Sequence, residues 1–448
     1  MKFPGNYIKE LFIHRRTLLW MVGVVLLFLL GFAYPLGIPA GQFLLALIML
    51  VSIFDITLLF KAWTPISIKR IHEEKLSNGD FNPLIARIKG TFDFSPVITL
   101  IDEFPVQLQL RNERINLGKC SPVFERDVVY EIRPTQRGNY SFGDFRCLVR
   151  TPLGLFIRRI TIEASEVVPV YPSYIQLRKY SYFAISNRLE EAGLKRVRTL
   201  GRSNEFEQIR EYVRGDDFRL INWKATARKN DLMVNQYQEE KSQNIYCLID
   251  KGRQMHMPFD GLSLMDYAIN TSLVLLGVAL SRGDRAGLVT FSDKLGSFIP
   301  AHGKPSYMQV IASSLYNQQL RTQETDFLRL YKSTKRLIKK RSLLIMFSNF
   351  ESVVNIESEL KYLKAMASNH LLCIIIFENT EVRPLIEKVT SHPKEAYTQA
   401  IAEKYEYDKR QILKELTRRG IYCILTQPSD LTVNTINKYI EFKARGAI

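Results

Sequence analysis

Paired thiols are missing from this 448-residue chain: it has five cysteines and no CxxC pair. An odd, unpaired set suits a reducing compartment. Cys247, Cys373 and Cys423 stand inside IYCLID, LLCIIIF and IYCILT, where a thiol packs as a small buried apolar group. The chain also lacks a GxxxxGK[ST] phosphate loop, an HExxH helix and a GxSxG elbow. Its six histidines are scattered without metal-ligand spacing, and only His256 and His302 fall on loops expected near strand ends. No catalytic residue is assigned, and the enzyme alternative, an envelope hydrolase, has no nucleophile and base in register. The net charge is +17, yet no aromatic RNP pattern or zinc finger accompanies it. That charge is read as facing an anionic membrane leaflet, with a basic nucleic-acid tether as the alternative.

Charge itself is absent from Thr17 to Phe54. A bilayer needs about 20 apolar residues per helix, so Thr17–Tyr34 and Gln42–Phe60 are read as two spans within a hairpin over residues 17–60, with PLGIPAG as the turn. Lys2, Lys9, Arg15 and Arg16 precede the first span, Lys61, Lys69 and Arg70 follow the second, and the connector has none. The positive-inside rule then places both termini in the cytoplasm, residues 1–16 included. A cleaved signal peptide is disfavoured by the second apolar span immediately downstream. Asp55, about a turn and a half before Lys61, is expected at the interface.

Beyond Lys61 the apolar period changes to two. VQLQL (Val106, Leu108, Leu110), VVYEI, FIRRITI and VVPVY predict an antiparallel, immunoglobulin-like β-sandwich over residues 61–179. Residues 180–243 read as a basic connector carrying a signature motif. From residue 244 to 448, strand-like runs alternate with amphipathic segments, which implies a mostly parallel sheet covered by helices on both faces. The leucine-rich stretch LSLMDYAINTSLVLLGVAL contains Asp266 and Asn270 and is read as a buried helix of that domain, not a third span.

The densest stretch is REYVRGDDFRLINWKATARKNDLMV, Arg210 to Val234. Gly215 permits a tight turn, Asp216 or Asp217 can cap a short helix, and Leu220, Trp223 and Ala227 share one face. Arg219 and Arg228 are left to pair with carboxylates or a partner. Two readings follow: an interdomain clasp anchored by Trp223, or a partner-docking surface. With Arg210, Tyr212, Gly215, Asp216, Arg219, Trp223, Lys224 and Arg228 in place, the stretch resembles the signature of the bacterial membrane proteins grouped as domain of unknown function number fifty-eight. RGNYSFGDF, TPLGLF and INKYIEFKARG support the likeness.

The resemblance implies a multi-pass protein of the bacterial inner membrane with a von Willebrand factor A-like, Rossmann-like C-terminal domain. It also implies association with a MoxR-type AAA+ ATPase in assembling or activating other complexes. Such domains commonly hold a divalent cation through Asp-x-Ser-x-Ser, a Thr and a second Asp. Here Asp250 is present, Gly252 and Gln254 replace the serines, Ser306 stands for the Thr and Asn349 for the second Asp. Mg²⁺ requires hard oxygen ligands, and Lys251 and Arg253 add positive charge, so the site is read as degenerate and the protein as cofactor-free. Weak Mg²⁺ binding through Asp250, Ser306 and Asn349 is the alternative. The expected role is a non-enzymatic adaptor that engages the membrane and a protein partner, with no small-molecule substrate and no specific nucleic acid.

Overall fold

The computed structural model describes residues 10–34, 36–61, 66–110, 113–185, 205–213, 216–229, 231–238, 242–350, 353–387 and 392–447. The chain divides into two compact units, Met1–Val170 and Tyr171–Ile448. In the first, helices Arg15–Leu30 and Gly37–Phe60 form the hairpin. The second starts earlier than Gln42 because Pro39 falls in its first turn, where the missing N–H has no intrahelical partner to lose. By length and composition Gly37–Phe60 suffices to cross a membrane. Arg15–Leu30 has 16 residues, which at 1.5 Å each spans about 24 Å. Its Leu18, Leu19 and Val22 and the partner helix's Phe43, Leu50 and Ile53 lie exposed, an apolar surface of the kind lipid covers.

Among the described residues the sandwich region holds three sheets. One is five-stranded, in the order Leu11–Ile13, Phe156–Ile162, Phe145–Arg150, Val97–Asp102 and Arg114–Lys119; the others have three strands each. Strand Asn82–Thr91 shows the expected alternation, turning Leu84, Ala86 and Ile88 inward. VQLQL departs from expectation. Val106–Leu108 is a 3₁₀ turn with Val106 87% exposed. Pro105 before it cannot donate to a ladder, and Gln109 after it takes a left-handed φ of 55°.

Two polar clusters organise this unit. Asp55 is fully buried: its carboxylate accepts from the Thr151 hydroxyl and from the N–H groups of Leu155 (3.2 Å) and Phe156 (3.0 Å). Arg158 Nη1 donates to Leu59 O at 2.8 Å and its guanidinium lies 4.4 Å from the Phe60 ring centroid. The base of the second helix is thus clamped to the sandwich by the Asp55 carboxylate, the Leu59 carbonyl and the Phe60 ring. Deeper in, Arg70 lies between Phe142 and Phe145, paired with Asp102 and, at 2.9 Å, with Glu166. It also donates to Ala164 O (2.8 Å) and Gly143 O (3.1 Å).

In the second unit a six-stranded sheet runs Leu295–His302, Arg285–Phe291, Asn244–Asp250, Leu343–Phe347, Leu371–Phe377 and Tyr422–Thr426. Only the edge strand Leu295–His302 is antiparallel. Its central strands are buried on both faces: Ile245, Cys247 and Ile249 pack into one core, Tyr246 and Leu248 into the other. Helix Leu264–Ser281 also passes the length and hydropathy test for a span, but 78% of it is buried. Asp266 closes a capping box with Ser263, and Asn270 Oδ1 accepts the Ser173 N–H at 2.9 Å, so the two polar residues that set it apart from a span serve its cap and its packing.

Candidate functional site

The chain leaves strand Asn244–Asp250 for a neighbour on one side, Arg285–Phe291, and later returns to the other side as Leu343–Phe347. Open α/β sheets bind ligands in the crevice that such a reversal leaves at the carboxyl ends of the strands. Asp250 and the pair Ser348–Asn349 end these two strands. Asp250 is 1% exposed. Its Oδ1 accepts from Thr325 Oγ1 (2.6 Å) and the Gly252 N–H (2.8 Å), and its Oδ2 from Ser348 Oγ (2.6 Å).

Thr325, not Ser306, supplies the hydroxyl; Ser306 stands at the start of helix Tyr307–Tyr316. A side chain at position 252 would put its Cβ 2.2 Å from Thr325 Oγ1, so glycine is what lets that hydroxyl approach. Asn349 Oδ1 accepts from Lys409 Nζ, and its amide donates to Gln254 O at 3.5 Å, the outer limit of a hydrogen bond. Lys251, also buried, donates to Gln318 Oε1 at 3.0 Å, and burial followed by the nearby Arg321 lowers its pKa.

These residues do not fit a divalent cation. Both Asp250 oxygens are taken by hydroxyls and a backbone N–H, no hydroxyl fits at position 252, and an ammonium sits on the oxygen of Asn349. Among the described residues no group of three or more His, Cys, Asp or Glu is placed to hold a metal.

Burial raises the Asp250 pKa, opposed by hydrogen bonds from Ser348, Thr325 and Gly252. A raised folded-state value means that stability from this group is full below the unfolded value and is lost as pH rises through the folded one. Asp250→Asn, which cannot ionise, should therefore gain in melting temperature relative to wild type over the range in which pH rises above about 4. A constant difference across that range would show that Asp250 keeps an ordinary pKa.

The signature stretch forms a separate ribbon of strands Glu205–Glu211 and Met233–Gln238, joined through a 3₁₀ turn Phe218–Leu220 and a short helix Trp223–Lys229. Asp216 accepts from Arg210 Nη2 (2.7 Å) and the Val213 N–H (2.9 Å). Asp217 caps the 3₁₀ turn through the Arg219 N–H (3.0 Å), while Asn222 accepts the Ala225 N–H (3.0 Å) at the start of the helix. Gly215 lies outside the described residues; Tyr212 is half-buried and its N–H bonds Leu232 O at 2.7 Å.

The apolar stripe of Leu220, Trp223 and Ala227 exists but faces outward: Trp223 is 70% and Phe218 69% exposed. Arg219, Lys224 and Arg228 are exposed around it and pair with no carboxylate among the described residues.

Residues 208–390 match a family model described as a protein of unknown function, DUF58. Over this segment the chain is similar to the DUF58 family. The DUF58 match takes in most of the ribbon, Asp250, Thr325 and Asn349, and stops short of Lys409. The uncharacterized protein YeaD of Bacillus subtilis is 24% identical over 194 residues, 42% of this chain and 46% of its own length. The chain therefore matches about half of that relative.

Among solved structures, the conserved hypothetical protein BatB of Bacteroides thetaiotaomicron aligns at 12% identity and TM-score 0.29, covering 46% of this chain and all of BatB. An uncharacterized membrane-spanning protein of Vibrio fischeri aligns at 12% identity and TM-score 0.18, covering 45% of this chain and 98% of that one. Likenesses at these values assign no activity.

Proposed function

We propose that this protein is a membrane-anchored, non-enzymatic adaptor. In this reading its von Willebrand A-like unit works with an AAA+ ATPase of the MoxR type in assembling or activating other complexes, on the cytoplasmic side of a bacterial inner membrane. The observation that carries it is the outward stripe of the ribbon. Trp223 and Phe218 stand exposed on a segment in which Asp216, Asp217 and Asn222 bond backbone N–H groups of the segment itself. Exposed aromatics beside arginines are the composition of interface hot spots. The hairpin would keep that surface at the membrane, and recognition would rest on shape and charge.

Crosslinking in native membranes followed by purification of the tagged full-length protein tests this, beside a folded Arg219→Glu, Trp223→Ala variant. Loss of a hot-spot Trp typically costs 2 kcal/mol or more, so recovery of an AAA+ ATPase should fall by about thirtyfold. Equal recovery of the same proteins by both versions would remove the ribbon as a docking surface.

A further inference from the structure

The strand-end crevice is where an open α/β sheet takes a ligand, and in this chain a lysine of its own reaches it. Helix Pro393–Arg418 buries Ala402, Lys409, Ile412 and Leu416 on one face. Lys409 is 3% exposed, and its ammonium bonds Asn349 at the end of strand Leu343–Phe347. Thr325 and Ser348 take the two oxygens of Asp250 nearby.

What is left is an adjoining cleft of about 190 Å³ over the ends of strands Leu371–Phe377 and Tyr422–Thr426. Lys409 lines it, with Arg383, Arg410, Tyr405, Glu378 and Glu406. Glu406 is bonded to Arg410, whereas the exposed Arg383 has no ion-pair partner among the described residues. Three cations against two carboxylates leave one positive charge.

We infer that this cleft is a metal-free receptor for a single carboxylate, the side chain of an Asp or Glu on a partner protein, with Lys409 and Arg383 as its recognition cations. A buried ammonium already held by Asn349 does for an acidic side chain what a bound cation would do, and charge-assisted hydrogen bonds are the strong ones in such a setting. Glu378 on the same wall disfavours polyanions such as phosphates. This site is separate from the ribbon and does not depend on it.

Full-length protein in detergent micelles is titrated calorimetrically with N-acetyl-glutamic acid α-amide and with its glutamine counterpart, with Mg²⁺ or with EDTA. One charge-assisted pair supports a dissociation constant on the order of millimolar, so titration runs to ~20 mM. Saturable binding of the glutamate compound only, unchanged by EDTA, is expected. Lys409→Gln should weaken it about tenfold or more and Lys409→Arg much less. Because the buried variant can unfold, Arg383→Gln on the exposed wall is the second reading and should also weaken binding, while Trp223→Ala leaves it intact. Equal binding of the glutamine compound, a requirement for Mg²⁺, no binding by folded wild type at ~20 mM, or full binding by both Lys409→Gln and Arg383→Gln overturns the inference.

Discussion

Arg70→Met is expected to destabilise the first unit by about 3–5 kcal/mol, the range for breaking a buried ion pair by removing one partner. Methionine keeps the packing between Phe142 and Phe145 but leaves the Asp102 carboxylate inside the sandwich with Tyr130 as its remaining donor. Burial and the neighbouring Asp102 push the Tyr130 pKa up, so its hydroxyl remains a donor, but one hydrogen bond does not replace a guanidinium. Carbonyls of Gly143 and Ala164 lose their donors as well. Arg70→Lys keeps the charge without the planar fork and should recover only part of the loss.

Denaturant titration of full-length protein, followed by near-ultraviolet dichroism, reads the effect. The double change Arg70→Met, Asp102→Leu should be less destabilised than Arg70→Met alone, since it no longer strands a charge. A single variant within about 1 kcal/mol of wild type would mean that water enters and solvates Asp102.

Asp55→Ala comes next in size. Three donors converge on this carboxylate, the Thr151 hydroxyl and the N–H groups of Leu155 and Phe156. Each buried donor left unpaired costs about 1–3 kcal/mol, and the threonine hydroxyl can rotate to a new acceptor, so ~3 kcal/mol is expected overall. The readout is local: hydrogen exchange at Leu155 and Phe156 in the full-length protein should accelerate by about a hundredfold. Asp55→Asn keeps one acceptor oxygen and should lie between. Unchanged protection of both amides in Asp55→Ala would show that the loop holds its shape without the helix.

The two helices of the hairpin were legible because an uncharged apolar run is broken once, by the prolines and glycines of PLGIPAG. FIRRITI was legible because its period of two survives as strand Phe156–Ile162. VQLQL has the same period and failed, since alternation says nothing about the Pro105 that precedes it. Strand Leu11–Ile13 was missed because three residues carry no period at all. At the strand ends Asp250 was visible through the family likeness. Its partners were not, because Thr325 lies 75 residues and Ser348 98 residues further along the chain, and only the fold brings them together. Lys409 did leave a trace: it occupies a position in the stripe Ala402, Ile412, Leu416 where an apolar residue would otherwise stand. The outward orientation of Trp223 had no trace, since an apolar stripe on a short helix reads the same whether it is covered or left open.

The clamp at Asp55 has a mechanical consequence. A helix pair followed by a slack linker would work as a leash and leave its cargo free to tumble. With Asp55, Leu59 and Phe60 held by the loop 151–156 and by Arg158, the hairpin works as a bracket. Helices in bilayers tilt to match the local thickness. In the membrane-anchored reading proposed above, any such tilt would swing the sandwich through the same angle, and the first unit would become a pointer whose attitude follows the thickness of the surrounding bilayer.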